Sequence, residues 1–125
     1  MKKILILLIS YMFMLPYSLQ AQSEADERNA ISRAFQLADA QLNDAYKKLI
    51  PLLDEEEKIK TQKAQREWLK VRDQVADRAA AEFKDSNYYR RTREETMIPL
   101  TVDRYATLLK QYYALYVVVL MAEEE

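Results

Sequence analysis

The chain has 125 residues, of which 19 are basic and 20 acidic, and it contains no cysteine, histidine or glycine. Without cysteine or histidine it has no thiol nucleophile, no imidazole base and no ordinary zinc site, and without glycine it has no glycine-rich phosphate loop. The balanced charge lacks the basic excess that nucleic-acid binding needs. These exclusions favour a small non-enzymatic protein that takes no cofactor, metal or nucleic acid.

The first residues have the pattern of a secretory signal peptide. Lys2 and Lys3 form a basic start, and Ile4–Leu15 is apolar apart from one serine. This run is shorter than the roughly 20 residues that span a bilayer. We therefore predict a signal peptide over residues 1–21 and a single mature domain over residues 22–125, located in the periplasm or secreted. Membrane contact is expected only through the signal peptide before cleavage, which would change the net charge from −1 to −3 by removing two lysines and no acid.

The mature sequence begins with one continuous helical stripe. Ser23 followed by Asp26 resembles a helix cap, and Pro51 predicts the end of the helix, because the residue before a proline avoids helical backbone angles. Between them, apolar residues recur at steps of three and four, the spacing of one helix face. They are Ile31, Phe35, Ala38, Leu42, Ala45 and Leu49. The sequence therefore predicts a first helix from about residue 23 to residue 50.

A second helix is predicted from about Glu55 to Lys84. Asp54 is a suitable N-cap, with Glu57 in the capping-box position. Lys84–Asn87 follows as a turn, because Asp and Asn tolerate left-handed backbone angles in place of glycine. The buried seam of this helix is predicted to contain Ile59 or Thr61, then Gln65, Trp68, Leu69, Arg72, Val75, Ala76, Ala79 and Phe83.

The third helix contains Pro99, which leaves two alternatives. Pro99 lies in the first turn of a shorter helix, or it kinks a longer helix that begins near Tyr89. We favour the longer helix, because residues 88–97 contain no second turn signal. The apolar stripe of this helix is Ile98, Thr101, Tyr105, Leu108, Tyr112, Leu115 and Val119.

Residues Ala114–Met121 are apolar on all sides and too few to span a membrane. They predict one of two things: a buried end of the third helix, or a surface for a partner or for oligomerisation. The sequence leaves the oligomeric state open.

Several polar residues interrupt the apolar stripes, and we interpret them as a structural polar core that fixes the register of the helices. They are Asp39, Asn43, Gln65, Trp68, Arg72, Asp73, Thr101 and Arg104. A buried arginine must be paired and hydrogen-bonded, and Asp39, Asp73 and Asp103 are candidate partners for Arg72. The predicted fold is an all-α antiparallel bundle of about three long helices, preceded by the signal peptide.

Three motifs occur in a characteristic order. They are ADAQLNDAY at Ala38–Tyr46, AQREWLKVRD at Ala64–Asp73, and LTVDR at Leu100–Arg104 followed by Leu108. In spacing and order they resemble the LprI-like family of small secreted helical proteins, named after a lysozyme inhibitor, over about residues 30–109. The resemblance implies a helical domain and a protein partner, lysozyme. Many family members carry cysteines, which this chain lacks, so its stability is expected to come from helix packing alone.

A binding surface for that partner is predicted where the turn meets the third helix. Its residues are Tyr88, Tyr89, Arg90, Arg91 and Arg93, and tyrosine and arginine are the types that often carry binding energy at interfaces. Three functions follow from these observations. The first is a lysozyme inhibitor that occludes the enzyme cleft, and the second is an envelope interaction or structural protein without inhibition.

The third function is an enzyme acting on cell-wall sugars, which would need paired carboxylates. The acidic clusters of the sequence are Asp54–Glu57 and Glu123–Glu125. The first is typical of a helix start, where negative charge is favourable, and the second is typical of a charged tail. The sequence therefore disfavours the enzyme.

Overall fold

The computed structural model describes the backbone of residues 2–123 and the side chains of residues 19–123. Within this range the chain forms three long helices and no strand. The helices are α1 (Lys2–Leu49), α2 (Glu55–Ala80) and α3 (Tyr88–Glu123), with short 3-10 helices at Ile50–Leu52 and Ala81–Phe83. The predicted all-α fold with three long helices is confirmed.

α1 is longer than the sequence pattern predicts. It runs without interruption from Lys2 to Leu49, so Ser23 lies inside the helix and the predicted N-cap at this residue is wrong for the full-length chain. The segment before Ser23 is rich in leucine and contains no glycine, both of which favour a helix, and the helix continues through it despite Pro16. Pro51 lies in the first turn of the following 3-10 helix, where a backbone N–H would have no helical hydrogen-bond partner in any case. The predicted end of the first helix is confirmed, and the signal peptide remains a prediction.

The start of α2 is capped as predicted. The backbone N–H of Glu57 donates a hydrogen bond to the Asp54 carboxylate at 2.8 Å. The Glu57 carboxylate itself accepts from Lys60 Nζ at 3.4 Å, so the cap consists of the Asp54 contact. α2 ends at Ala80, and the chain turns at residues 84–87. No described residue has a positive φ, so this turn forms without the left-handed angle that we expected of Asp or Asn.

α3 is the longer of the two predicted alternatives. It begins at Tyr88 and continues through Pro99 to Glu123. Pro99 is exposed, so the proline ring is accommodated on the solvent side of the helix.

α3 is also the central helix of the bundle. It packs against both α1 and α2, whereas the backbones of α1 and α2 approach each other at few of the described positions. Side chains of α1 contact α3 residues 62 to 64 positions later in the sequence, so these two helices run parallel. In α2 the order is reversed, because Gln65 bonds Arg104 and the later Asp77 bonds the earlier Arg93. The bundle is therefore up–down–up, with α2 antiparallel to both of its neighbours.

The core lies where the end of α1 meets the second half of α3. Its buried members are Leu42, Ala45, Leu49, Leu53 and Leu108. Partly buried aromatic and aliphatic residues pack against them, including Trp68, Tyr105, Tyr112 and Leu115. The stripes predicted for α1 and α3 supply most of this core.

The buried seam of α2 is narrower than predicted. Its buried residues are Thr61, Gln65, Arg72, Ala76 and Ala80. Of the two alternatives, Ile59 or Thr61, the buried residue is Thr61, since Ile59 is 66% exposed. Val75 and Ala79 are also exposed and not buried as predicted. The reason is that α2 packs mainly on α3, so only one narrow face of α2 is covered.

The last three turns of α3, which we call the α3 tail (residues 113–123), lie largely outside the core. Tyr116–Met121 are all exposed, with Val118 at 63% and Met121 at 67%. The interpretation of Ala114–Met121 as a buried helix end is therefore wrong, and so is the placement of Val119 in the buried stripe. The parallel register explains this, because Leu49, the last residue of α1, is level with about residue 111 of α3.

α3 also has the length and composition of a membrane-spanning helix. Its most apolar 18-residue window has a mean hydropathy of 1.2, and 6% of that window is buried. Core helices of soluble proteins satisfy the same length and composition criterion, but they are mostly buried, whereas this window is mostly accessible. The first half of α3 carries charged contacts to both α1 and α2.

Candidate functional site

Arg72 is the centre of a polar network that joins all three helices. Its side chain is 8% exposed. Nη1 donates to Asp39 Oδ1 of α1 at 3.0 Å and to Thr101 Oγ1 of α3 at 3.4 Å, and Nε donates to the neighbouring Asp73 Oδ1 at 3.0 Å. Two of the three candidate partners are therefore correct. Asp103 is exposed on α3, and its backbone carbonyl accepts from the Thr107 hydroxyl.

Trp68 lies between two guanidinium groups. The Arg72 carbon Cζ is 5.4 Å from the centre of the Trp68 ring, and Arg104 Cζ is 5.7 Å from it, within cation–π range. Arg104 Nε donates to Gln65 Oε1 at 2.9 Å. Partial burial lowers the pKa of the Arg104 guanidinium below its ordinary value. Trp68 is half-buried, so it packs among the helices with one edge towards solvent.

The eight residues of the predicted polar core are thus brought together across 65 sequence positions. Asn43 is at the exposed edge, where its amide donates to Asp39 Oδ2 at 3.2 Å. Thr101 is at the other extreme, with 0% exposure. These contacts suit a cluster that holds the helices in register, and that role remains a prediction.

The predicted partner-binding residues lie at the other end of the bundle, at the start of α3. Arg91 forms a bidentate contact with Glu27 of α1, at 2.7 and 3.2 Å, and Nε donates to Glu95 at 3.0 Å. The hydrogen bond to Glu95 and the nearby Glu27 raise the pKa of the Arg91 guanidinium. Arg91 therefore connects α3 to α1.

Arg93 and Tyr89 connect the same part of α3 to α2. Arg93 Nε donates to Asp77 Oδ1 at 2.5 Å, and the Tyr89 hydroxyl donates to the same oxygen at 3.3 Å. Arg93 is 29% exposed. These two side chains are already engaged within the chain.

Arg90 and Tyr88 are the accessible members of the set. The Arg90 side chain is 73% exposed, although Nε donates to Glu94 at 3.0 Å and Nη2 to the Ser32 hydroxyl at 2.6 Å. Tyr88 is 47% exposed, with its ring tilted against Phe83 at 6.2 Å between centres. A partner can reach both without unfolding the chain.

A cleft of about 490 Å³ lies beside Arg90, between α1, the turn at residues 84–87 and α3. Arg28 of α1 and Lys84 of the turn line it and form no ion pair with the described side chains. Sequence reasoning missed Arg28 and Ser32, because they precede Arg90 by about 60 residues and reach it only through the parallel packing of α1 on α3. Their spacing of four on one helix face was the available signal.

The sequence of the chain matches a known protein family. A family model described as "Lysozyme inhibitor LprI" matches residues 18–108. The chain belongs to the LprI family. No curated protein and no solved structure matches it significantly.

The LprI match covers the bundle, the polar network and the Arg90 cleft. It ends before the α3 tail, so the tail is a feature of this chain outside the matched region. The family is described by inhibition and not by catalysis. Asp39, Asp73, Asp77 and Glu94 each accept a hydrogen bond from an arginine, and the described residues contain no cluster suited to a metal ion.

A second groove, of about 440 Å³, lies between α1 and α2 where their backbones are apart. Its lining is mainly uncharged and polar, with Asn43, Tyr46, Gln62 and Gln65 beside Arg66 and Leu69. Because Gln65 also accepts the bond from Arg104, part of this lining belongs to the polar network. The Arg90 cleft is the more basic of the two and is the better candidate for contact with a carboxylate.

Proposed function

We propose that this LprI-family protein is an exported, non-enzymatic binding protein that inhibits lysozyme by occluding its cleft. The observation that carries the proposal is the exposed Arg90 guanidinium, beside a basic cleft in a chain of a lysozyme-inhibitor family. Export to the periplasm or the medium, through cleavage of residues 1–21, forms part of the proposal.

The chemistry of the lysozyme cleft matches an arginine. The enzyme uses two carboxylates, one as an acid and one in its ionised form. Arginine can grip a carboxylate through two parallel hydrogen bonds. Arg90 now bonds Glu94 and Ser32. The Glu94 side chain is only 12% exposed, so moving Arg90 to a carboxylate of the enzyme has a cost. The Ser32 hydroxyl, which donates to Glu94 Oε1 at 3.0 Å, limits that cost by leaving Glu94 with a hydrogen bond.

Arg28 and Lys84 extend this positive surface. Both line the cleft beside Arg90, and Lys84 is exposed on the turn at the end of the bundle. The turn is short and protrudes between α2 and α3, and Tyr88 follows it directly. A tyrosine at this position can cover the sugar-binding walls of the enzyme cleft, since its ring offers a large apolar surface with a polar tip.

Arg91 and Arg93 have a supporting role in this proposal. Their bonds to Glu27, Glu95 and Asp77 fix the start of α3 against α1 and α2. That rigidity would hold Arg90 and Tyr88 in place before contact, which lowers the entropic cost of binding. The net charge of −3 expected after cleavage would favour encounter with a basic enzyme surface.

The test is a titration of lysozyme activity with the purified protein. Arg90→Ala should weaken inhibition strongly, because the guanidinium is 73% exposed and available to the enzyme. The variant also removes a partner of Glu94, so its helicity and thermal midpoint are measured beside its inhibition. Arg66→Ala is the control, since it removes another exposed arginine, which lines the other groove on α2. If the wild-type protein inhibits no lysozyme, the envelope-interaction function takes its place. Equal inhibition by both variants would leave the function standing and refute the site.

A further inference from the structure

The α3 tail carries a largely exposed apolar stripe, in which the rings of Tyr113 and Tyr116 contact the neighbouring Tyr112 ring at 5.2 and 5.6 Å between centres. Tyr113, Tyr116, Val117 and Leu120 are three and four residues apart, so they share one helix face. Their exposures are 56%, 40%, 51% and 43%. The face that carries Tyr112 and Leu115 packs on the core, and the stripe lies on a different side of the helix. A helix that is apolar all round normally has both sides covered.

The two ends of this stripe have opposite charge. Exposed Lys110 precedes Tyr113 by one turn on the same face, and exposed Glu123 follows Leu120 by one turn. Two more glutamates follow in the sequence. Along its length, the stripe therefore begins with a positive charge, continues with apolar residues and ends with a negative charge.

We propose that two copies of this chain dimerise by packing their α3 tails antiparallel through this stripe. In that arrangement Lys110 of one copy faces Glu123 of its partner at each end, and Tyr113 faces Leu120. Tyr116 and Val117 meet at the centre. A parallel pair would place lysine beside lysine and glutamate beside glutamate, which is unfavourable at close range.

A second copy fits the stripe better than a membrane does. Insertion of the tail along its axis would carry Glu123 into the hydrocarbon, which is costly for a carboxylate. A helix lying on the surface of an anionic membrane would need a basic polar face, and the described tail contains no lysine or arginine. The antiparallel pair buries the apolar residues and keeps the charges paired at its rim.

The dimer would leave both Arg90 surfaces free. Arg90 lies near the start of α3 and the stripe near its end, so two tails joined antiparallel point the starts of α3 outwards. The dimer itself does not depend on what Arg90 binds.

Sedimentation velocity on the protein purified from an exporting host tests the association directly. A concentration-dependent dimer is expected for the wild type. Val117→Lys should weaken it by roughly tenfold or more, because it places two lysines together at the dimer centre. Val71→Lys is the matched control, since it adds the same charge to a 56% exposed valine of α2, and it should dimerise like the wild type. A wild type that stays monomeric, or two variants that behave alike, would overturn the proposal.

Introduced cysteines test the orientation, because the chain has none of its own. Val117→Cys should cross-link with itself. Tyr113→Cys should cross-link with Leu120→Cys in a mixture, and much less with itself. Efficient self-linking of Tyr113→Cys would indicate a parallel pair and refute the antiparallel one.

Charge reversal and vesicle binding complete the test. Lys110→Glu should weaken the dimer, and adding Glu123→Lys to it should restore the affinity. Co-sedimentation of monomeric protein with phosphatidylcholine vesicles, lost in Val117→Lys, would assign the stripe to a membrane and overturn the proposal.

Discussion

Arg72 of α2 bonds Asp39 of α1 at 3.0 Å, although the backbones of these two helices approach each other at few of the described positions. α3 packs against both helices and keeps their backbones apart. The long side chain of Arg72 bridges the remaining distance to Asp39. The same nitrogen donates to Thr101 on α3, so one buried guanidinium on α2 contacts both other helices.

The first prediction concerns this network. Asp39→Ala should lower the free energy of unfolding by about 1–3 kcal/mol, because it removes an acceptor of a buried charge while half-exposed Asp73 still compensates. Chemical denaturation measures the change. Asp44→Ala, on the same helix and exposed, should cost at most about 0.5 kcal/mol. Equal effects would show that Arg72 does not depend on Asp39.

The second prediction concerns Trp68, the one tryptophan of the chain. Trp68→Ala should destabilise by about 3 kcal/mol, the lower end of the range for such truncations, because the ring is only half-buried. Denaturation followed by circular dichroism is the measurement, since the variant loses its tryptophan fluorescence. Ile59→Ala, at a 66% exposed site of the same helix, is the control. A near-neutral Trp68→Ala would contradict a packing role.

The third prediction concerns Pro99. A proline inside a helix removes a backbone hydrogen bond and costs up to about 3 kcal/mol. Because Pro99 is exposed and makes few contacts, Pro99→Ala should raise the thermal midpoint. A lower midpoint would mean that the proline sets a bend on which the packing of α3 depends.

The fourth prediction separates binding from support at the candidate site. Tyr88→Ala should weaken lysozyme inhibition by about 1–2 kcal/mol of binding free energy without loss of helicity. The double variant Arg90→Ala with Arg91→Ala should abolish inhibition, but Arg91→Ala alone should also loosen the start of α3 because it removes the contacts to Glu27 and Glu95. Amide exchange of residues 88–95 distinguishes the two effects: fast exchange is expected in Arg91→Ala and not in Arg90→Ala.

The fifth prediction concerns export. Mass spectrometry of the envelope fraction should find a chain that begins near Gln22, and Lys2→Glu with Lys3→Glu should slow its appearance there by removing the basic start. Mature protein that retains Met1 would refute cleavage.

The sequence predicted the helices well because their signals are local. Asp54 and Pro51 determine the ends of helices through their own backbone chemistry, and the apolar steps of α1 and α3 mark the covered faces. The errors on α2 have a different cause. Val75 and Ala79 fit the apolar periodicity of α2 but are exposed. The side of α2 that is covered depends on where α3 lies, and the periodicity of α2 carries no information about that position.

The candidate site shows the same division. The composition of Tyr88–Arg93 indicated a binding surface. It could not show that Arg91 and Arg93 form ion pairs with α1 and α2, whereas the ion pair of Arg90 lies within α3 and its side chain is 73% exposed. Arg28 and Ser32 join Arg90 only because α1 and α3 run parallel with an offset of about 62 residues. The sequence identified one side of the cleft, and the fold supplied the other.

The ion pairs of Arg91 and Arg93 lie at the solvated end of the bundle, far from the leucine core. Salt screens charges that lie farther apart than the Debye length, which is about 10 Å at 0.1 M and about 3 Å at 1 M. Arg91 and Arg93 are 22% and 29% exposed and contact Glu27 and Asp77 at 2.5 to 3.2 Å, so these pairs weaken only at high salt. Apolar burial is not weakened in this way. Rising ionic strength would therefore fray the start of α3 before it affects the core. Arg90 would then be less rigidly held, while the helicity of the whole protein would change little. In brine and in dilute buffer, the same intact bundle would present two different recognition surfaces.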